Sequence, residues 1–334
     1  MQTQKTESME SSRRSPLHWS FSLHTHFESC RRHYFYHRFW DQDPKLKWQI
    51  REMRNITTLT MLRGLVVHDI IKDCLNAVRD HKEISIDEQM ERVTTIMRQK
   101  MRESYYQMWR LGNRPQESKQ SDFTNLLEHY YNFPDTESRA RESRDIAQAC
   151  IRNLLESDFW HQITKTNCET WRTTDDRIVQ FELEGIRTYV KLDFAHAHGQ
   201  PTIIDWKTGK QTNQDQLQLT LYSLYAQQAW GWDPKQTRLV AAYLYPDFEI
   251  LELTPEQMHI DETTKLVKES FLKMLELEPA EGELADITRF PITDDVRNCR
   301  WCRFQGICEG AHRLKGSIDS PYGIVEDGSE CCPE

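Results

Sequence analysis

The clearest alternation of apolar and polar positions lies in two short runs, 183–195 and 202–207, joined by His198-Gly199-Gln200-Pro201. β-branched and aromatic residues bounded by Gly and Pro predict a β-hairpin. With the turn centred near Gly199, cross-strand partners carry numbers that sum to about 398. Asp193 and Asp205 then face each other roughly 5 Å apart at Cβ, and Lys207 projects from the face of Asp205, two residues on. Leu192, Phe194, Ile204 and Trp206 are expected on the opposite, buried face.

Elsewhere the period is helical. Residues 17–40 mix aromatic and basic side chains and include a helix. Residues 56–80 carry a helical stripe of Leu62, Leu65, Val66, Ile70, Ile71 and Leu75. The charged, helix-prone stretch 82–178 predicts a helical insertion of three or four helices. An amphipathic helix follows at 213–230, ended by Gly231 and Pro234. Two strands are expected over 238–253 with a turn at Pro246-Asp247, and a helix over 255–278. No internal repeat interrupts this order. The result is an α/β fold, a mixed sheet flanked by helices.

A chain of 334 residues, 38% hydrophobic, builds one large domain or two small ones. No apolar run approaches the roughly 18 residues needed to span a bilayer, so no membrane association is expected. The first sixteen residues are polar, lack the apolar stretch of a secretory signal and are expected to form a disordered tail. A cytoplasmic protein is the default, in which nine cysteines do not form a disulfide framework. The net charge of −9 argues against a general nucleic-acid coat protein. The acidic balance concentrates in 276–283 and 326–334. Two basic clusters stand apart from it: Arg31, Arg32, His33, His37 and Arg38, and Arg297, Arg300, Arg303, Arg313 and Lys315.

Two constellations carry chemistry. Like charges directly opposite on a hairpin are destabilising, and a bound divalent cation reverses that sign. Asp193 and Asp205 with Lys207 alongside are therefore a candidate metal site; the bland alternative is a solvated face with a Lys–Asp salt bridge. The second is Cys299, Cys302 and Cys308, a C-x2-C-x5-C spacing that points to a thiolate metal site. Cys30, in an aromatic segment, is the better fourth ligand than Cys331 or Cys332 in the polar tail. It would clip the N-terminal region to the C-terminal one and merge the two basic clusters into one surface able to follow a phosphate backbone. On spacing alone the occupant is zinc or an iron–sulfur cluster. His68 sits within its helical stripe, where a lone histidine is more often a core residue than a ligand. Gln218 and Tyr222, four apart, share a helix face.

Gly64…His68, Asp193, Asp205-X-Lys207 and Gln218-X-X-X-Tyr222 resemble the ordered motifs of RecB-like nucleases in the PD-(D/E)XK superfamily. Ser22…Cys30-Arg31-Arg32-His33-Tyr34-Phe35-Tyr36 together with the cysteine spacing resembles the iron–sulfur branch, which includes AddB nuclease domains, eukaryotic single-strand exonucleases and the nucleases of CRISPR adaptation. The resemblance implies a restriction-endonuclease-like core within a single domain over 17–315. In it, 82–178 is an insertion, 285–315 an iron–sulfur segment closing on Cys30, and 316–334 an acidic flexible tail. It implies that His68, Asp193, Asp205 and the Trp206 carbonyl hold Mn²⁺ or Mg²⁺, the imidazole favouring manganese. Lys207 would position or deprotonate the attacking water, with Gln218 and Tyr222 orienting the lysine or the DNA. Cys30, Cys299, Cys302 and Cys308 would hold a [4Fe–4S] cluster of structural role. The activity implied is that of a deoxyribonuclease, an exonuclease before an endonuclease, acting on single-stranded DNA or free ends in repair, recombination or end processing. A helicase or a recombination or CRISPR-adaptation partner would be a separate chain. The rival readings are a non-catalytic DNA-binding subunit on a nuclease fold and a zinc-clipped adaptor.

Overall fold

The computed structural model describes residues 15–110, 113, 119–173 and 177–311. The expected tail over 316–334, Arg313, Lys315, Cys331 and Cys332, and all but two residues of the expected N-terminal tail, lie outside them. In chain order the elements are β1 (Trp19–Ser20), α1 (Phe21–Ser29), α2 (Arg31–Arg38), α3 (Lys47–Arg54), β2 (Ile56–Thr57), α4 (Leu59–Arg79) and α5 (Ile86–Tyr105). Then come β3 (Asn125–Leu126), α6 (Leu127–Tyr130), α7 (Thr136–Leu155), α8 (Asp158–Thr164), β4 (Trp171–Thr173), β5 (Val179–Leu183), β6 (Ile186–Val190), β7 (Phe194–His196) and β8 (Thr202–Lys207). The chain continues through α9 (Asn213–Trp230), β9 (Arg238–Tyr243), β10 (Glu249–Leu253), α10 (Gln257–Leu275) and α11 (Val296–Arg300).

The central sheet runs β10-β9-β8-β7-β4, with β8 and β9 parallel and the other neighbours antiparallel. A smaller sheet, β1-β6-β5, stands beside it, and β2 pairs with β3. The β7–β8 hairpin has the expected register: Phe194 faces Ile204, Ala195 faces Ile203 and His196 faces Thr202. Gly199 supplies the left-handed backbone of its turn, at φ 69°.

The run 183–195 is not one strand. Glu184 and Gly185 both take positive φ, 51° and 76°, and close a tight two-residue hairpin between β5 and β6. A second break at Lys191-Leu192-Asp193 separates β6 from β7. Leu192 is consequently displaced from the face expected for it. Phe194, Ile204 and Trp206 pack with α4, α7 and α8, whereas Leu192 joins the core on the other side, with Ile203 and residues of α9.

The segment 82–178 is neither wholly helical nor peripheral. It supplies β4 to the central sheet, and Cys150, Ile151, Leu154, Phe159 and Trp160 from α7 and α8 cover the apolar face of β7, β8 and β9. Because strand side chains alternate, one face of β8 buries Ile204 and Trp206 here while Ile203 and Asp205 turn toward α9. Among the described residues no helix is long and apolar enough to cross a membrane.

Candidate active site

Three elements converge on the acidic end of the hairpin. α4 is started by Thr58, whose side chain caps it, and by Glu128, whose carboxylate accepts the Leu59 N–H at 3.1 Å. That helix delivers His68. Its Nδ1 lies 2.9 Å from Asp193 Oδ1, and Asp193 Oδ2 accepts the Trp206 N–H at 2.8 Å. The break before β7 frees Asp193 from strand alternation, which lets one carboxylate reach both α4 and the backbone of β8.

Asp205 is buried, at 4% exposure. Its Oδ2 makes no well-directed hydrogen bond and lies against the Lys207 ammonium at 2.7 Å. Burial, then the nearby charge of Asp193, push its carboxyl above the usual carboxylate range, against the pull of Lys207. Burial works against the charged form of His68, but the charge and hydrogen bond of Asp193 outweigh it and raise the imidazole to about 9. Lys207 feels the same contest: burial disfavours the ammonium, Asp205 and Asp215 restore it, and its pKa rises.

The ammonium is held from α9 as well. Lys207 Nζ donates to Gln218 Oε1 at 2.8 Å, and Gln218 Nε2 donates to the Tyr222 hydroxyl at 2.6 Å. The helical spacing of Gln218 and Tyr222 thus places both on the face that meets β8. Asp215 was missed by sequence reasoning. Its Oδ1 lies 3.2 Å from Lys207 Nζ, and its Oδ2 accepts from the Tyr243 hydroxyl and the Thr212 N–H, each at 2.7 Å. The available signal was Thr212-X-X-Asp215, a helix-start pattern whose acid accepts the first backbone N–H.

The cysteines form a separate centre. Cys30, Cys299, Cys302 and Cys308 line one cavity of about 210 Å³ together with His33. None is in a disulfide. Burial pushes the Cys302 thiol up to about 12, and the thiols of Cys308, Cys30 and Cys299 add to the rise. His33 Nδ1 lies 3.5 Å from Cys302 Sγ. Among the described residues no three His, Cys, Asp or Glu side chains stand at single-ion spacing, in either centre.

Among the described residues several cations of the two expected basic clusters are already paired. Arg32 pairs with Glu309 at 2.8 Å, Arg38 with Glu278 at 2.9 Å, Arg31 with Glu28 at 3.3 Å and Arg297 with Asp295 at 2.8 Å. Arg303 turns inward to the Arg54 carbonyl at 2.6 Å. His33 and His37 are held neutral, at about 2 and about 3, chiefly by burial, with His26 close by and the Arg303 guanidinium also opposing a second positive charge. Arg32, Arg38 and Arg303 thereby tie the N-terminal helices to residues 278–309.

The family model of the PD-(D/E)XK nuclease superfamily matches residues 18–309. The chain belongs to this superfamily. That span contains His68, both acids, the lysine and all four cysteines of the cavity. Nucleases of the superfamily generally use divalent metals such as Mg²⁺ or Mn²⁺. Two solved structures are similar to parts of this PD-(D/E)XK nuclease. One, a protein designated SSO0001, is 14% identical with a TM-score of 0.27, over 53% of this chain and 81% of its own. The other, from Eubacterium rectale and named a "putative exonuclease", is 15% identical with a TM-score of 0.30, over 62% of this chain and 75% of its own. No curated protein matches the chain.

Proposed function

We propose that this chain is a metal-dependent deoxyribonuclease that hydrolyses phosphodiester bonds at the Asp193–Asp205–Lys207 site, acting on single-stranded DNA from an end. The observation that carries the reading is the buried carboxylate of Asp205, beside a second acid, Asp193, and with the Lys207 ammonium 2.7 Å from its Oδ2. A divalent ion satisfies that oxygen and removes the repulsion between the acids. The donors that would hold it are Asp193, Asp205, the Trp206 carbonyl and His68, an oxygen-rich set with one nitrogen that suits Mn²⁺ or Mg²⁺. When bound, such an ion lowers the pKa of water and neutralises charge on the phosphate oxygens.

The protein supplies the rest. Lys207, fixed by Gln218 and flanked by Asp205 and Asp215, is a directional cation for the attacking water and for the charge that develops at phosphorus. Tyr222 holds the Gln218 amide in the orientation that presents its oxygen to the lysine. The exonuclease mode and the role in DNA repair or end processing belong to the same proposal.

The cysteine cavity is assigned to a [4Fe–4S] cluster of structural role. Cys30, Cys299, Cys302 and Cys308 line one cavity, and four cysteine thiolates are the ligand set that holds such a cluster.

Cleavage of end-labelled single- and double-stranded oligonucleotides with Mn²⁺, using anaerobically purified protein, tests the first assignment. Asp205→Ala and Lys207→Ala are expected to lose about 100-fold or more in rate. An inert wild type, or variants that cleave equally well, overturns it. For the second, the fresh protein is expected to be brown, with stoichiometric iron and sulfide that Cys302→Ser removes. Colourless protein with one zinc per chain overturns the cluster and leaves the nuclease site intact.

A further inference from the structure

A cavity of about 350 Å³ lies at the C-terminal end of α5, against β3 and α6. It shares no residue with the acidic site or with the cysteine cavity. Its volume falls in the range of about 300–1,000 Å³ usual for small-ligand sites. Tyr105, Trp109, Tyr130 and Phe133 give it an aromatic wall.

Most polar groups around it are already engaged. Ser104 Oγ accepts the Leu126 N–H at 2.9 Å and meets His129 Nδ1 at 2.9 Å. The Tyr130 hydroxyl donates to Glu52 at 2.9 Å, and Glu128 accepts the Leu59 N–H at 3.1 Å. Two lining residues differ. Asn125 is 1% exposed, and among the described residues neither its amide nitrogen nor its amide oxygen has a hydrogen-bond partner. Trp109 is 3% exposed, and its indole N–H has none either. Buried donors and acceptors left unmade cost stability, and such groups mark places where function takes precedence over it.

The three groups define a pattern. The Asn125 oxygen is a single free acceptor, its amide nitrogen a donor beside it, and Trp109 adds a second donor. The complementary ligand is flat, carries one amino group next to an acceptor, and has further acceptors. Adenine meets each condition. Its one amino group adjoins a ring-nitrogen acceptor on either edge, and an asparagine amide bonds that pair in bidentate fashion. Guanine brings a second donor group for which no free acceptor remains. Aromatic rings suit either base, because every base has a face to stack. Charge sets the form of the ligand. Among the described lining residues Arg110 is the one Lys or Arg, its guanidinium 4.8 Å from the Trp109 ring, while Glu128 and Glu137 are acids. One cation answers one phosphate group and does not follow a strand.

We propose that this cavity binds a free adenine nucleotide, its base held by Asn125 and Trp109 and its phosphate at Arg110. The proposal goes beyond the nuclease reading and does not depend on it.

The test is calorimetric titration of 5′-AMP into the full chain, in buffer without divalent metal so that the phosphate is not drawn to the acidic site. Saturable binding is expected, at least tenfold tighter than that of GMP or CMP. Asn125→Leu is expected to bind AMP at least tenfold more weakly. Its melting temperature without ligand is expected to equal or exceed that of the wild type, because an unbonded buried amide is replaced by an apolar group. Trp109→Phe keeps a ring and loses the N–H, and is expected to weaken binding about fivefold. The proposal is overturned if AMP does not bind, if GMP or CMP binds as tightly, or if Asn125→Leu binds AMP like the wild type. It is also overturned if that variant melts well below the wild type, which would mean that the amide is bonded within the protein. An oligodeoxyadenylate that binds more tightly than AMP per adenine, and loses the advantage in Asn125→Leu, overturns it in favour of a strand-binding pocket. Failure of the nuclease reading leaves the AMP titration unchanged, since no cleavage enters it.

Discussion

Asp215 shares the Lys207 ammonium with Asp205, and its other oxygen is taken up by Tyr243 and the start of α9. It therefore positions the lysine and is not among the donors for a cation. Asp215→Asn is expected to slow cleavage about tenfold while leaving the Mn²⁺ concentration for half-maximal rate unchanged, whereas Asp205→Asn is expected to abolish metal-supported activity; a metal titration of initial rates separates the two. At this scale the hairpin was well marked in the sequence. Period-two alternation and a Gly turn fix which residues oppose which from Phe194 to His196, while Asp193 lies just outside that register, in the break before β7. Asp215 was hidden because its pattern is that of any helix start, and its distance to Lys207 depends on how α9 packs on β8. Leu192 was misplaced for a related reason: the break at 191–193 carries no Pro or Gly to announce it.

Among the elements, α4 depends on a residue 69 positions away from its first turn. Glu128 is fully buried and satisfies the Leu59 N–H with both oxygens, at 3.1 and 3.3 Å, with Arg139 at 3.9 Å. Glu128→Ala removes that acceptor and leaves a void, so a loss of about 2–3 kcal/mol is expected, seen as a lower denaturant midpoint at unchanged m-value. His68 rides on this helix, so the cap supports the site from a distance. The longer helices and β8–β10 were readable from periodicity. The role of 82–178 was not, because an amphipathic helix shows that it has a buried face without showing what it buries that face against. Here it is the same sheet that carries Asp205.

On the scale of the whole molecule, several histidines are folded in their neutral form. His26 and His196 are lowered to about 4 and His37 to about 3, each chiefly by burial, with Arg303 also acting on His26 and His37 and His198 on His196. Unfolding returns each to its ordinary value of 6.5. The unfolded chain then binds more protons below that pH, and folding stability falls as pH drops from 6.5 toward 4. The combined loss is expected to be on the order of a few kcal/mol. Thermal unfolding across that range checks it; a melting temperature flat from pH 6.5 to pH 4 contradicts the burial of these rings as neutral groups.

The two ends of the fold close on each other. Arg32 Nε donates to the Phe290 carbonyl across 258 positions, and Tyr34, Phe35 and Phe39 pack their rings on Phe290. During synthesis at roughly 5–20 residues per second, the aromatic ridge of α2 emerges on the order of ten to fifty seconds before its lid exists. For that interval a nascent chain presents sticky, uncovered rings to its surroundings. Escort by a chaperone until Phe290 is made would then decide how many polypeptides mature rather than aggregate.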